Sequence, residues 1–224
     1  MSTLIIGATG LVGSEIVKFA DTSSTLTDVK ILTRRPPTIE STEIKVIENA
    51  DSLNWSETIK NNPTEVLISA FGTTRGQAGS AENFKKIDYG INYNAAKTAK
   101  ENGTKIYVLV SALGASSKSH FLYMKTKGEL EDDVIALGFD HTIILRPAIL
   151  LGKRGASKGF GNDLAQTVGN WTKNTFLQRF LNSVEASDVA KVAVDLASKG
   201  VKGELKEKVQ IIDSAEIIKL AANL

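Results

Sequence analysis

Thr3-Leu4-Ile5-Ile6 forms an apolar run without polar alternation, the pattern of a strand buried on both faces. After the turn Gly7-Ala8-Thr9-Gly10-Leu11-Val12-Gly13, the residues Val12, Ile16, Phe19 and Ala20 recur at helical spacing, so the order is strand, tight turn, helix. Similar short apolar runs predict strands at Val29–Thr33, Ile44–Ile47, Val66–Ala70, Ile106–Ser111, Thr142–Leu145 and Val209–Ile212. Helical periodicity predicts helices around Leu53–Lys60, Ala81–Glu101, Tyr123–Leu137, Ser187–Ala197 and Ala215–Ala222. Asn102-Gly103 and Gly138 stand where helix C-caps belong, and Ser187 and Ser214 stand as N-caps. Alternating strands and helices predict an α/β fold, a doubly wound parallel sheet with helices on both faces.

The rhythm breaks from Leu150 to Ser183. This stretch is rich in glycine, carries Phe160, Trp171, Phe176 and Phe180, and sets Lys153, Arg154, Lys158, Lys173 and Arg179 against Asp163. Residues 148–186 are therefore read as an excursion from the single domain that spans 1–224. Three uses stay open for it: the wall of a substrate cleft, a surface loop with a short packing helix, or peripheral contact with an anionic membrane surface.

Composition narrows the classes without choosing among them. The chain has 224 residues, enough for one α/β domain with a substantial core. A net charge of +2, with no long cationic face interleaved with aromatics, argues against nucleic acid as a partner. With no cysteine there is neither a disulfide nor a thiolate metal site or nucleophile. No stretch approaches the roughly 20 apolar residues of a membrane-spanning helix. A cleavable leader is not expected either, because the first residues already form the opening strand. The sequons at Asn54, Asn102 and Asn170 are read as coincidences.

The glycine turn gives the chain its first chemistry. Glycine lets a backbone take positive φ and approach a pyrophosphate, and the last glycine lets helix and strand pack closely. The helix then offers free N–H groups and the positive end of its dipole to phosphate. The spacing is G-x-x-G-x-x-G, and it points to a dinucleotide-binding Rossmann fold. At the end of the second strand stand Arg34 and Arg35, where NAD-preferring folds place an acid against the ribose hydroxyls. A guanidinium grips a 2′-phosphate in forked geometry, so the expected cofactor is NADP(H). Asp51, after the third strand, is expected near the adenine edge.

Ser111 ends a predicted strand, and Tyr123 and Lys127 share one face of the following helix. A phenol with a pKa near 10 needs a neighbouring ammonium to serve as acid or base at neutral pH. The serine hydroxyl suits a substrate carbonyl oxygen on which charge develops. Tyr93 and Lys97 repeat the spacing, but inside a long helix where an aromatic residue packs in the core. His120 and His141 suggest no metal site, and Glu129, Glu131, Asp132 and Asp133 read as a solvated acidic face.

Taken together, Gly7-x-x-Gly10-x-x-Gly13, the basic second strand end, Ser111 and Tyr123-x-x-x-Lys127 resemble the short-chain dehydrogenase/reductase superfamily. More narrowly, the chain is similar to atypical members related to the human Tat-interactive oxidoreductase and to fungal "found in mitochondrial proteome" proteins of the mitochondrial outer membrane. Phe71-Gly72-Thr73-Thr74-Arg75-Gly76-Gln77-Ala78-Gly79-Ser80, Phe121-Leu122-Tyr123 and Leu145-Arg146-Pro147 carry that likeness, which thins beyond Leu151. The resemblance implies that Gly7, Thr9, Gly10, Leu11, Val12 and Gly13 hold the pyrophosphate, that Arg34 and Arg35 meet the 2′-phosphate, and that Ala70, Phe71 and Gly72 line the adenosine side. It implies Tyr123 as general acid/base and Lys127 on the nicotinamide ribose. Arg146, Pro147, Ala148 and Ile149 would flank the nicotinamide, and Asn92 would stand where many members keep a proton-relay asparagine. The chain departs at Val110-Ser111-Ala112, where many relatives carry two serines. Ser111 must then serve alone, or Ser116 or Ser117 in its place.

Two functions follow as expectations. One is NADPH-dependent reduction of a small carbonyl substrate. The other is an NADPH-binding regulatory or membrane-docking protein of the mitochondrial outer surface, facing the cytosol, with little turnover. Neither specifies an oligomeric state.

Overall fold

The architecture comes from a computed structural model that describes residues 1–37, 41, 43–151 and 183–224. Its frame is a seven-stranded sheet in the order β3-β2-β1-β4-β5-β6-β9, with every pair parallel. The strands are β1 (Ser2–Ile6), β2 (Thr27–Thr33), β3 (Lys45–Glu48), β4 (Val66–Ser69), β5 (Ile106–Val110), β6 (His141–Arg146) and β9 (Val209–Asp213). A strand buried on both faces must send alternate side chains into two cores, and β1 does so. Ile5 packs with Val12, Ile16, Ile68 and Val189 on one face, while Leu4 and Ile6 pack with Trp55, Leu67, Ala95 and Leu130 on the other.

The first core is covered by α1 (Leu11–Asp21), α7 (Ala186–Val201) and α8 (Ser214–Ala221). The second is covered by α2 (Trp55–Lys60), a helical stretch from residue 81 to 101, and α6 (Leu122–Ala136). Because β2 lies on one side of β1 and β4 on the other, the connections diverge there and open a crevice outside the carboxyl ends of the strands.

Several local features differ from the sequence expectation. The helix expected over Ala81–Glu101 is three pieces in series: α4 (Ala81–Lys85), a π-helical turn (Lys86–Ile91) and α5 (Asn92–Glu101). A short α3 (Arg75–Ala78), capped by Thr74, precedes them. Ser187 is not the cap of α7, because the chain enters that helix earlier, with Glu185 in the capping position. Ser214 is not the cap of α8 either: Asp213 accepts the Glu216 N–H at 2.9 Å, a bond a carboxylate at a positive helix end makes well.

The ends of the excursion are tied together. β7 (Leu150–Leu151) pairs in parallel with β8 (Val184–Glu185), a two-stranded ladder the sequence pattern did not reveal. The aromatic and basic residues of the excursion, from Lys153 to Phe180, lie outside the described residues.

Candidate functional site

The turn between β1 and α1 is built by removing side chains from a place where backbones meet. Gly7 has φ +84, and a Cβ there would lie 2.4 Å from the Ala70 carbonyl carbon. A Cβ at Gly13 would lie 2.0 Å from the Gly7 oxygen, closer than any contact allows. The Gly10 N–H donates to Gly7 O at 2.9 Å, and Ser14 N–H to Gly10 O at 2.9 Å. Gly10 caps α1 with extended backbone and no side-chain bond, so the first-turn N–H groups of Leu11, Val12 and Gly13 carry no side-chain cap. Val12 buries its side chain in the core and has only its main chain to offer a ligand. A pyrophosphate fits this cradle: it needs a close backbone approach and uncapped donors, and both are present.

Beside the turn lies a cleft lined by Gly7, Thr9, Leu32, Thr33, Arg34, Arg35, Trp55 and Phe71. Thr33 shapes its rim, donating from Oγ1 to the Arg35 carbonyl at 2.7 Å. Both arginines are exposed, and neither guanidinium meets a carboxylate among the described residues. Trp55 was missed by the sequence reading. Its ring packs edge-on against Phe71 at 5.1 Å, and its Nε1–H donates to Asn49 O at 3.0 Å. The signal was the helix start straight after β3, which carries Trp55 to the same sheet edge. Asp51 does not line the cleft. Its carboxylate accepts the Leu53 N–H at 3.0 Å and an Asn54 Nδ2–H at 2.8 Å, capping the turn that leads into α2.

Across the crevice, α6 and the helical stretch 81–101 run side by side in matched steps. Phe84 packs at a tilt on Tyr123, ring centroids 5.6 Å apart, and Asp88 pairs with Lys127 at 2.7 Å. Lys85 pairs with Glu129 at 2.9 Å, and Tyr89 donates to Asp133 at 2.5 Å. That hydrogen bond, followed by burial, pushes the Tyr89 phenol up to about 12. Tyr93, the second Tyr-x-x-x-Lys tyrosine, is partly buried and stacks on Tyr89 at 5.7 Å. Tyr107 is fully buried in β5, and that burial pushes its phenol up.

The residues chosen for catalysis reach different environments. Tyr123 is 38% exposed, with its ring against Phe84. Lys127 is buried, and its ammonium sits against Asp88. Ser111 is buried and donates its hydroxyl to Glu131. Glu131 in turn receives Arg146, whose Nε lies 3.2 Å from each carboxylate oxygen and whose Nη2 also donates to Oε2. The acidic face expected to be solvated is therefore broken by Glu131, which is 1% exposed and joins the ends of β5 and β6 through Ser111 and Arg146. A Cβ at Gly128 would lie 2.1 Å from the Ser116 carbonyl carbon, so the loop holding Ser116 and Ser117 presses directly on α6.

The segment after β6 is pinned at every residue from 147 to 149. Pro147 O accepts the Leu113 N–H at 2.9 Å, Ala148 N–H donates to Ser214 Oγ at 3.1 Å, and Ile149 O accepts the Val184 N–H at 3.0 Å. The segment after β4 is held by a buried polar network. Asn92 accepts from Ser69 Oγ at 2.5 Å and donates to Phe71 O at 3.1 Å and to Asp88 O at 2.8 Å, so its amide fastens the sheet to the π-helical turn. Asp88 and Glu131 carried no motif that would single them out. Among the described residues no cluster suits a metal ion, and no helix is long and apolar enough to cross a membrane.

Comparison with known proteins places this geometry. A family model described as NAD(P)H-binding matches residues 7–199. "Protein FMP52, mitochondrial" of Candida albicans is 60% identical over 228 residues, covering 100% of both chains. The protein of the same name from Debaryomyces hansenii is 45% identical over 226 residues, again covering 100% of both. Among solved structures, MoeE5 in complex with UDP-glucose and NAD superposes with a TM-score of 0.69 at 14% identity, covering 100% of this chain and 81% of that one. Helicobacter pylori ADP-L-glycero-D-manno-heptose-6-epimerase gives 0.70 at 16% identity, with 99% and 81% covered. At such identities these structures speak to the fold alone.

Proposed function

This chain belongs to the NAD(P)H-binding family, and from that premise we propose that it is an atypical short-chain dehydrogenase/reductase, an NADPH-dependent oxidoreductase of a small carbonyl compound. The observation that carries the reading is a cradle closed to a Cβ at Gly7 and Gly13, joined to a cleft that ends in two arginines without carboxylate partners among the described residues. Gly7, Thr9, Gly10, Leu11, Val12 and Gly13 would hold the pyrophosphate, with Trp55 and Phe71 beside the adenosine. Arg34 and Arg35 would take the 2′-phosphate, which an acid at this position would repel. The bound cofactor supplies a hydride.

The chain's own part is to hold the substrate and move a proton. Tyr123 would give its phenolic proton to the carbonyl oxygen, and its exposure leaves room for substrate to reach it. Lys127, one turn along α6, would face the nicotinamide ribose. The segment Pro147–Ile149, fixed by its backbone bonds, would form the nicotinamide wall. Ser111 has given its hydroxyl to Glu131, which leaves Ser116 and Ser117 as the nearest substitutes in sequence for a carbonyl-binding hydroxyl.

That engagement of Ser111, together with Ala112, favours a second reading: a protein that binds NADPH with little turnover and docks peripherally on the cytosolic face of the mitochondrial outer membrane. The mitochondrial names of the relatives support the compartment. Calorimetric titration with NADPH and NADH, followed by NADPH consumption over a panel of aldehydes and ketones, separates the two. Turnover that falls at least 100-fold in Tyr123→Phe supports the enzyme. Tight NADPH binding without turnover, with co-sedimentation on anionic vesicles, supports the docking protein. No affinity for NADPH overturns both.

A further inference from the structure

The Lys127–Asp88 pair is buried more deeply than a surface ion pair and is held more firmly than a chance one. Its side chains are 6% and 0% exposed. Asp88 sits on the π-helical turn Lys86–Ile91, and such turns recur at functional positions because the extra residue re-aims the side chains around it. Its main chain is fixed where Asp88 O accepts the Asn92 amide at 2.8 Å. Its Oδ2 is fixed where it accepts the Thr73 N–H at 2.7 Å. Oδ1 is left for the ammonium, 2.7 Å away. The pair therefore holds Lys127 by charge, and an ammonium has three N–H donors, more than this one carboxylate oxygen takes up.

The location of the pair says which acceptors those are. A Cβ at Gly72 would lie 3.1 Å from Asp88 Oδ1 and 3.5 Å from Lys127 Nζ, so the ammonium rests against the main chain just past β4. Gly72 adjoins Phe71, which lines the adenosine cleft, and a Cβ at Gly7 would strike Ala70 and Phe71. Lys127 also lies one helical turn from Tyr123. The ammonium thus rests beside the segment that joins the phosphate turn to the adenosine cleft, one helical turn from the phenol. We propose that Asp88 is a positioning residue for the nicotinamide half of the dinucleotide, acting by holding the Lys127 ammonium against the segment after β4, where its remaining donors can meet ribose hydroxyls. This rests on the NADPH reading above and deepens it.

The test compares two probes, NADPH and 2′,5′-ADP, which keeps the adenosine half and both its phosphates but lacks the nicotinamide half. Affinities are measured by calorimetry for wild type, Asp88→Asn, Lys127→Met and the double variant. Asp88→Asn keeps an oxygen for the Thr73 N–H, loses the charge and turns its NH2 group toward the ammonium. Expected is a loss of tenfold or more for NADPH in Asp88→Asn, with 2′,5′-ADP changed by less than twofold. In the Lys127→Met background, adding Asp88→Asn should change NADPH affinity no further. This second comparison stands even where Asp88→Asn alone does not fold, because the double variant removes both charges and leaves neither orphaned. An equal loss for both probes would make Asp88 a fastener of the cleft wall only and overturn the proposal, as would unchanged NADPH affinity. Wild-type protein that binds 2′,5′-ADP but gains nothing from the nicotinamide half also overturns it. A wild type that binds neither probe removes the underlying reading itself.

Discussion

Replacing Glu131 by glutamine should destabilise the fold by breaking a buried ion pair on α6. The carboxylate is 2% exposed and receives Ser111 Oγ, Arg146 Nε and Arg146 Nη2. Glutamine keeps an oxygen for the Ser111 hydroxyl but loses the charge, and it brings an NH2 group against a guanidinium. Breaking one side of a buried pair costs about 3–5 kcal/mol. Arg146 keeps 28% of its side chain in water, so solvent recovers part of that cost and about 2 kcal/mol is the figure to expect. At about 2–4 °C per kcal/mol for a domain of this size, the melting temperature should fall by about 4–8 °C. Urea unfolding of wild type and Glu131→Gln at neutral pH measures the loss directly. The double variant Glu131→Leu/Arg146→Met replaces the pair with apolar groups, leaves no orphaned charge, and should recover most of the stability. A Glu131→Gln loss within experimental error, or a double variant less stable than the single one, would refute the argument that this pair fastens the ends of β5 and β6.

Three further outcomes are expected. Gly13→Ala puts a Cβ 2.0 Å from Gly7 O and so should abolish NADPH binding in a titration, by distorting the turn rather than by removing a contact. Arg34→Ala and Arg35→Ala should each weaken NADPH about tenfold, the low end for a charge-assisted bond at an exposed site, while leaving NADH affinity unchanged; equal loss for both cofactors would remove the 2′-phosphate from the reading. Tyr89 holds its proton more tightly folded, with a pKa of about 12, than the pKa of about 10 it has unfolded, so its contribution to stability is present below pH 10 and lost as pH rises toward 12. Tyr89→Phe should flatten the alkaline fall in stability over that window, measured by urea unfolding from pH 9 to 11.5.

The fold was legible because buried parallel strands advertise themselves. Ile5, Ile31, Ile68, Val108 and Ile143 sit in short apolar runs that fit no amphipathic element, and each lies in the first core. The glycine turn was legible because backbone contact at Gly7 and Gly13 excludes every other residue. What stayed hidden depends on pairing between elements distant in sequence. Nothing near Glu131 says that Ser111 and Arg146 will meet it, and the neighbouring Glu129, Asp132 and Asp133 make it look like part of a solvated face. Nothing near Asp88 announces Lys127, because the pairing depends on the register of two helices and on a π-helical turn between α4 and α5. Cap positions were missed by a residue or two for a similar reason: Asp213 competes with Ser214, and a charged acceptor at a helix N-terminus wins.

One division of labour runs through the site. Ser111, Lys127, Arg146 and Asn92, polar residues that sequence reasoning assigned to a ligand, are buried or partly buried and already hold partners in the protein. Tyr123, Arg34 and Arg35 are exposed, and neither arginine meets a carboxylate among the described residues. A buried polar network is costly unless every member is satisfied, so the inner groups are restricted to the geometry their partners impose. The exposed groups carry no such restriction and can follow a ligand. A substitution among the inner groups should therefore change stability and affinity together. One among the outer groups should change affinity or turnover at constant stability, and that contrast identifies which side of the crevice a residue serves.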